Sequence, residues 1–87
     1  MKLTDLPKNK PVITTTFVIN ENKDIVYVSL DKDNDLQMFS EEGAIMKEAI
    51  IVSLDEILLK DSSLASINIE KNESVYRQNK NSLWTKQ

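Results

Sequence analysis

Asp31-Lys32-Asp33-Asn34-Asp35 lies between Ile25 to Leu30 and Leu36 to Phe39, two runs that alternate like strands, and it constrains the fold more than any other segment. Side chains that alternate apolar and polar suit a half-buried strand, and Asp33-Asn34 accepts the left-handed or turn conformations that a reversal needs. The segment therefore predicts an antiparallel hairpin. Val26, Val28 and Leu30 form the expected core side of its first strand.

The remaining elements are read outward from this hairpin. Residues 1–11 form a polar lead-in, in which Pro7 and Pro11 bracket Lys8-Asn9-Lys10, and residues 12–87 form a single domain. Val12 to Ile19 is rich in β-branched residues and predicts a first strand. Alternation over its whole length assigns Ile13, Thr15, Phe17 and Ile19 to the core side. Ser40-Glu41-Glu42-Gly43 turns the chain or opens a short helix through Ala44, Ile45, Met46 and Ala49. Ala49 to Val52 then suits a buried strand, and Ser53-Leu54-Asp55-Glu56 has the form of a capping box. A helix is expected from there, with Leu54, Ile57 and Leu58 on its apolar stripe, Asp55 and Glu56 at its positive end and Lys60 in its last turn. Asp61-Ser62-Ser63 offers a second cap, after which Leu64 and Ile67 reach the core. Ser74 to Gln78 and Ser82 to Thr85 read as a closing hairpin, with Trp84 closing one end of the core and its indole N–H reaching a carbonyl. The sum is an α+β domain: an antiparallel sheet of about five or six short strands with one principal helix.

Composition narrows the chemistry. The 87 residues include no cysteine and no histidine. That removes disulfides, thiolate nucleophiles, sulfur-based zinc sites and the side chain best suited to proton transfer near neutral pH. Gly43 is the only glycine, so no phosphate loop is available. No catalytic residue, metal ligand or cofactor is expected. No segment approaches the roughly 20 apolar residues that span a bilayer, and the first residues carry no stretch of signal-peptide length. A cytoplasmic protein without a membrane partner is expected.

Charge is unevenly distributed. Residues 1–20 carry +2, residues 21–61 carry −7 and residues 62–87 carry +2, within a total of −3. An acidic middle repels nucleic acid and attracts a basic protein. Asp31, Asp33, Asp35, Glu41 and Glu42 are the candidate partner-binding surface. Tyr27, Tyr76, Arg77 and Trp84 are the residue types that most often anchor interfaces. A second reading is a divalent-cation-responsive regulatory domain. Asp31, Asp33 and Asp35 occupy positions one, three and five of a calcium-loop pattern and Glu42 position twelve, although Leu36 stands where the loop needs glycine.

Taken in order, Val12-Ile13-Thr14-Thr15, Ile25-Val26-Tyr27-Val28, Asp33-Asn34-Asp35-Leu36-Gln37-Met38-Phe39, Val52-Ser53-Leu54-Asp55-Glu56-Ile57, Asp61-Ser62-Ser63-Leu64, Arg77 and Trp84 form a pattern of turns and caps. It resembles a group of small stand-alone bacterial domains of unknown function, some similar to immunity proteins of contact-dependent or polymorphic toxin systems. Asn34 stands where that group carries glycine, and Leu36 where it carries tryptophan. The resemblance implies a non-enzymatic monomer or homodimer whose partner is a protein, such as a basic toxin domain.

Overall fold

The computed structural model describes residues 1–87. In chain order the strands are β1 (Pro11–Thr15), β2 (Tyr27–Leu30), β3 (Leu36–Phe39), β4 (Ala49–Ser53), β5 (Glu73–Tyr76) and β6 (Thr85–Lys86). They form one sheet in the order β4-β1-β3-β2-β5-β6. Every neighbouring pair is antiparallel except β1 and β3, which run parallel. The helices are α1 (Thr16–Ile19) and the principal helix α2 (Leu54–Lys60), accompanied by 3-10 turns at Leu3–Asp5, Met46–Glu48 and Ser62–Ser66. No helix is long and apolar enough to cross a membrane.

The expected hairpin is β2-β3, with Tyr27 opposite Phe39 and Leu30 opposite Leu36. The Asp31 amide bonds the Asp35 carbonyl at 3.1 Å, and Asn34 takes the left-handed conformation with φ 69°. Asn22 and Asn72 do the same at φ 58° and 69°, beside Gly43 at 81°. With a single glycine in the chain, asparagine supplies the other left-handed turns because its short side chain tolerates that region best among ordinary residues.

One face of the sheet is covered. Val12, Val28, Leu30, Leu36, Met38 and Val75 on that face form a continuous core with Leu54 and Ile57 of α2, Leu64, Ile67 and Ile69 of the following segment, and Leu3 of the first turn. Leu3 is fully buried and the Met1 carbonyl accepts from the Ile69 amide, so the N-terminal residues belong to the same core as the rest. Ser53 caps α2 as its motif predicts, its Oγ accepting from the Glu56 amide at 3.2 Å and donating to the Glu56 carboxylate. Asp61 caps the next turn, accepting from the Ser63 amide at 3.0 Å.

Three expectations are corrected. The first strand ends at Thr15 and the chain turns into α1, so its core side is Val12 and Thr14 and not the Ile13 side. Phe17 and Ile19 tipped the alternation toward the wrong face because they lie in a helical turn, where period two no longer applies. Ala49–Ser53 is an edge strand, not a buried one, with Ile51 69% exposed. In the closing hairpin, residues 82–84 lie outside the ladder, whose second strand begins only at Thr85, opposite Tyr76, after a turn built on Asn79.

Two substitutions test this account. Ser53→Ala removes the cap of α2 and should lower unfolding free energy by about 1 kcal/mol in urea titration. Thr14 is fully buried and its hydroxyl makes no hydrogen bond. Thr14→Val removes that uncompensated polar group at similar volume and should raise stability by about 1 kcal/mol in the same titration.

Candidate functional site

The acidic hairpin loop is organised from within. Asp31 Oδ1 accepts from the amides of Asp33 and Asp35, both at 2.9 Å, and Lys10 Nζ donates to the Asn34 carbonyl at 2.5 Å. These bonds fix the loop as an Asx-type turn and occupy one of the Asp31 oxygens. Asp33 and Asp35 project into solvent.

Glu41 and Glu42 are elsewhere. They follow β3, beyond Phe39, whereas Asp35 precedes Leu36, so strand β3 separates the two acidic groups. At about 3.3 Å per residue the separation from Asp35 to Glu41 is roughly 20 Å. The five carboxylates therefore flank β3 at its two ends and do not form a single patch, and Glu42 does not return to the aspartates as a calcium loop would require. No group of three or more acidic side chains is placed to hold a metal ion. Glu42 is held as an anion: the Ser40 hydroxyl donating at 2.5 Å, with Lys23 nearby, lowers its pKa below the ordinary carboxylate value. Glu41 is exposed and free of ion pairs.

Between these acidic ends lies the uncovered face of the sheet. Its residues are Pro11 and Ile13 of β1, Gln37 of β3, Tyr27 and Ser29 of β2, Ala49, Ile51 and Ser53 of β4, and Ser74 and Tyr76 of β5, as the strand registers require, while Thr15 and Phe39 on the same side are buried. None is charged. Tyr27 and Phe39 stack with ring centroids 6.4 Å apart and planes 15° apart, and Tyr76 lies opposite Tyr27 on the next strand. Gly43 and the turn before it return the chain over one end of this face. There Ala44, Ile45, Met46 and Ala49 close with Ile13, Gln37 and Phe39 around an apolar cleft of about 230 Å³. Met46, at its mouth, is 89% exposed. Composition and charge did not point to this cleft. Its one sequence signal is Ala44-Ile45-Met46, an apolar run directly after the only glycine with no strand pattern of its own.

Arg77 and Trp84, two of the aromatic and arginine anchors expected from composition, serve the interior. The Arg77 side chain is 1% exposed. Its Nε donates to the Ile25 carbonyl at 2.9 Å, one Nη donates to Ser63 Oγ at 2.8 Å and the other to Asp61 Oδ2 at 2.5 Å. The guanidinium stacks 4.1 Å from the centroid of the Trp84 ring. Trp84 packs against the core as expected, but its indole N–H finds no carbonyl. Asp61 is partly desolvated, which opposes ionisation, yet hydrogen bonds from Ser63 and Arg77 prevail and lower its pKa below the ordinary 3.8.

Comparison with known proteins found no match: no family model, no curated protein and no solved structure matches the chain.

The Asp61 carboxylate has its lowered pKa only in the folded state, so the stability it contributes is present above its ordinary value and is lost as pH falls below it. Asp61→Asn should remove part of the acid sensitivity of unfolding between neutral pH and the strongly acidic range, measured by denaturant titration across pH. Arg77→Ala leaves Asp61 and the Ile25 carbonyl without their buried donor and should cost about 3 kcal/mol at neutral pH.

Proposed function

We propose that this is a non-enzymatic interaction module, immunity-like and cytoplasmic, that binds a basic protein through the uncovered sheet face and its acidic ends. One observation carries the reading. An uncharged face bearing half-buried Tyr27, exposed Tyr76 and an apolar cleft is flanked at the two ends of β3 by exposed carboxylates, Asp33 and Asp35 on one side and Glu41 on the other. Protein interfaces are built in this way, with an apolar centre depleted of charge and a polar rim that steers the partner and sets its orientation. The excess of acid in residues 21–61 selects a positively charged partner.

The wild-type chain, used as bait in lysate of its native cell, should retain a protein with a basic surface, and the purified pair supplies the measurements. Charge reversal at the rim, D33K/D35K/E41K, should slow association and weaken binding at least about tenfold at low salt, with a smaller difference at high salt. Met46→Asp places an unpaired charge at the cleft and should raise Kd by about tenfold or more through faster dissociation. Affinity unchanged in both variants contradicts the reading.

A further inference from the structure

Strand β4 is a free edge, and its unpaired backbone groups have an unusual symmetry. The Leu54 amide donates to the Lys10 carbonyl at 2.9 Å, and the register places Pro11 opposite Ser53, Val12 opposite Val52 and Thr14 opposite Ile50. Hydrogen-bonded and non-bonded pairs alternate along an antiparallel ladder. Val52 and Ile50 therefore direct their N–H and C=O groups inward to β1, while Ala49, Ile51 and Ser53 direct theirs to the open edge. Pro11, which has no N–H, sits where none is called for. Two of the outward groups are used locally: the Ala49 amide bonds the Met46 carbonyl, and the Ser53 carbonyl, at the N-cap of α2, opens the helix ladder. What remains for a neighbour is the Ala49 carbonyl, the Ile51 amide and carbonyl, and the Ser53 amide.

We propose that this edge pairs with the same edge of a second copy, about a two-fold axis at Ile51. In that register the Ile51 amide of each copy donates to the Ile51 carbonyl of the other, and each Ser53 amide donates to an Ala49 carbonyl of the other. All four free groups on each chain are then satisfied, with none left over. The side chains agree with the backbone. Ala49-Ile50-Ile51-Val52-Ser53 contains no charge, so antiparallel self-pairing brings no like charges together, and Ile50 meets Val52 on the covered side of the sheet. On the open side, Ile51 lies beside Ile13 in the same chain, so the junction aligns four isoleucines. The same register brings Lys47, exposed on one copy, to the level of exposed Asp55 on the other. The devices that protect natural edges from a second strand are absent here: no lysine, proline or bulge interrupts β4. The interface is isologous, the commonest form of closed oligomer.

Sedimentation equilibrium on the full chain decides the matter. At about 100 μM, where a dimer with Kd of about 10 μM or tighter is mostly assembled, the wild type should show twice the 10.0 kDa of one chain. Ile51→Lys sets two ammonium groups against each other on the axis and should raise the dimer Kd at least about tenfold with an unchanged circular dichroism spectrum. Hydrogen exchange on the wild type gives a second reading that needs no variant: the Ile51 amide should be protected at that concentration and exchange freely on dilution. A wild type of single-chain mass, leaving the edge open to a strand of another protein, overturns the proposal. So does a doubled mass that survives I51K, or an Ile51 amide that exchanges freely in the dimer.

Discussion

A buried guanidinium must find a partner for nearly every N–H it carries, and the Arg77 side chain meets that requirement by collecting groups from four parts of the chain. Ile25 stands at the entry to β2, Asp61 and Ser63 at the junction after α2, Lys80 in the last turn and Trp84 before β6. These segments are far apart in sequence. The cost of desolvating the cation is offset only when all are in place together. Arg77 thus acts as a conditional clasp, joining the central hairpin, the covering helical layer and the C-terminal segment cooperatively. Within the connection from β5 to β6, Trp84 returns over the guanidinium immediately before Thr85, which pairs with Tyr76.

The elements legible in the sequence are those determined by contacts between near neighbours. Leu36 to Phe39, the Asn34 turn, the Ser53 cap and the Asp61 cap all depend on residues within a few positions of one another, and each stands where its motif predicts. The α+β class follows, because it needs only the kinds and order of elements. Long-range matters were less accessible. Nothing in Val12 to Ile19 marks the change from strand to helix at Thr16, since Thr, Phe, Val and Ile favour strands and are overruled by the turn that Asn20 to Lys23 makes back onto α1. The apolar run Ala49 to Val52 looks alike at an edge and at a centre, as only the order of strands decides which it is. The parallel pairing of β1 with β3 is likewise a property of the topology.

The candidate site was legible in part for the same reason. Charge is a one-dimensional quantity, so the acidic middle segment could be read directly, and the exposure of Asp33, Asp35 and Glu41 follows from their place in turns. Their division between the two ends of β3 is three-dimensional. A strand carries its flanking residues apart by its whole length, so acids that seem clustered in sequence frame an intervening surface. That surface, with Tyr27 and Tyr76 drawn from two strands and Ile13 and Ile51 from two others, has no counterpart as a contiguous motif.

The open face and the open edge belong to the same sheet, and their geometry connects them. Residues directly opposite in an antiparallel pair lie on the same side of the sheet, so joining two copies through Ile51 turns both open faces in one direction. The cleft formed by Ala44, Ile45 and Met46 lies next to β4 through Ala49, which brings the two clefts toward the two-fold axis and leaves the acidic loops of Asp33 and Asp35 at the far ends of their strands. A partner offering a single basic surface meets two equivalent faces in such an assembly. A partner that is itself two-fold symmetric can engage both at once, and the second contact is then made at high effective concentration without any new interaction. If β4 pairs as proposed, that pairing sets the spacing and orientation of two such faces, and recognition of a partner on the open face can then occur twice.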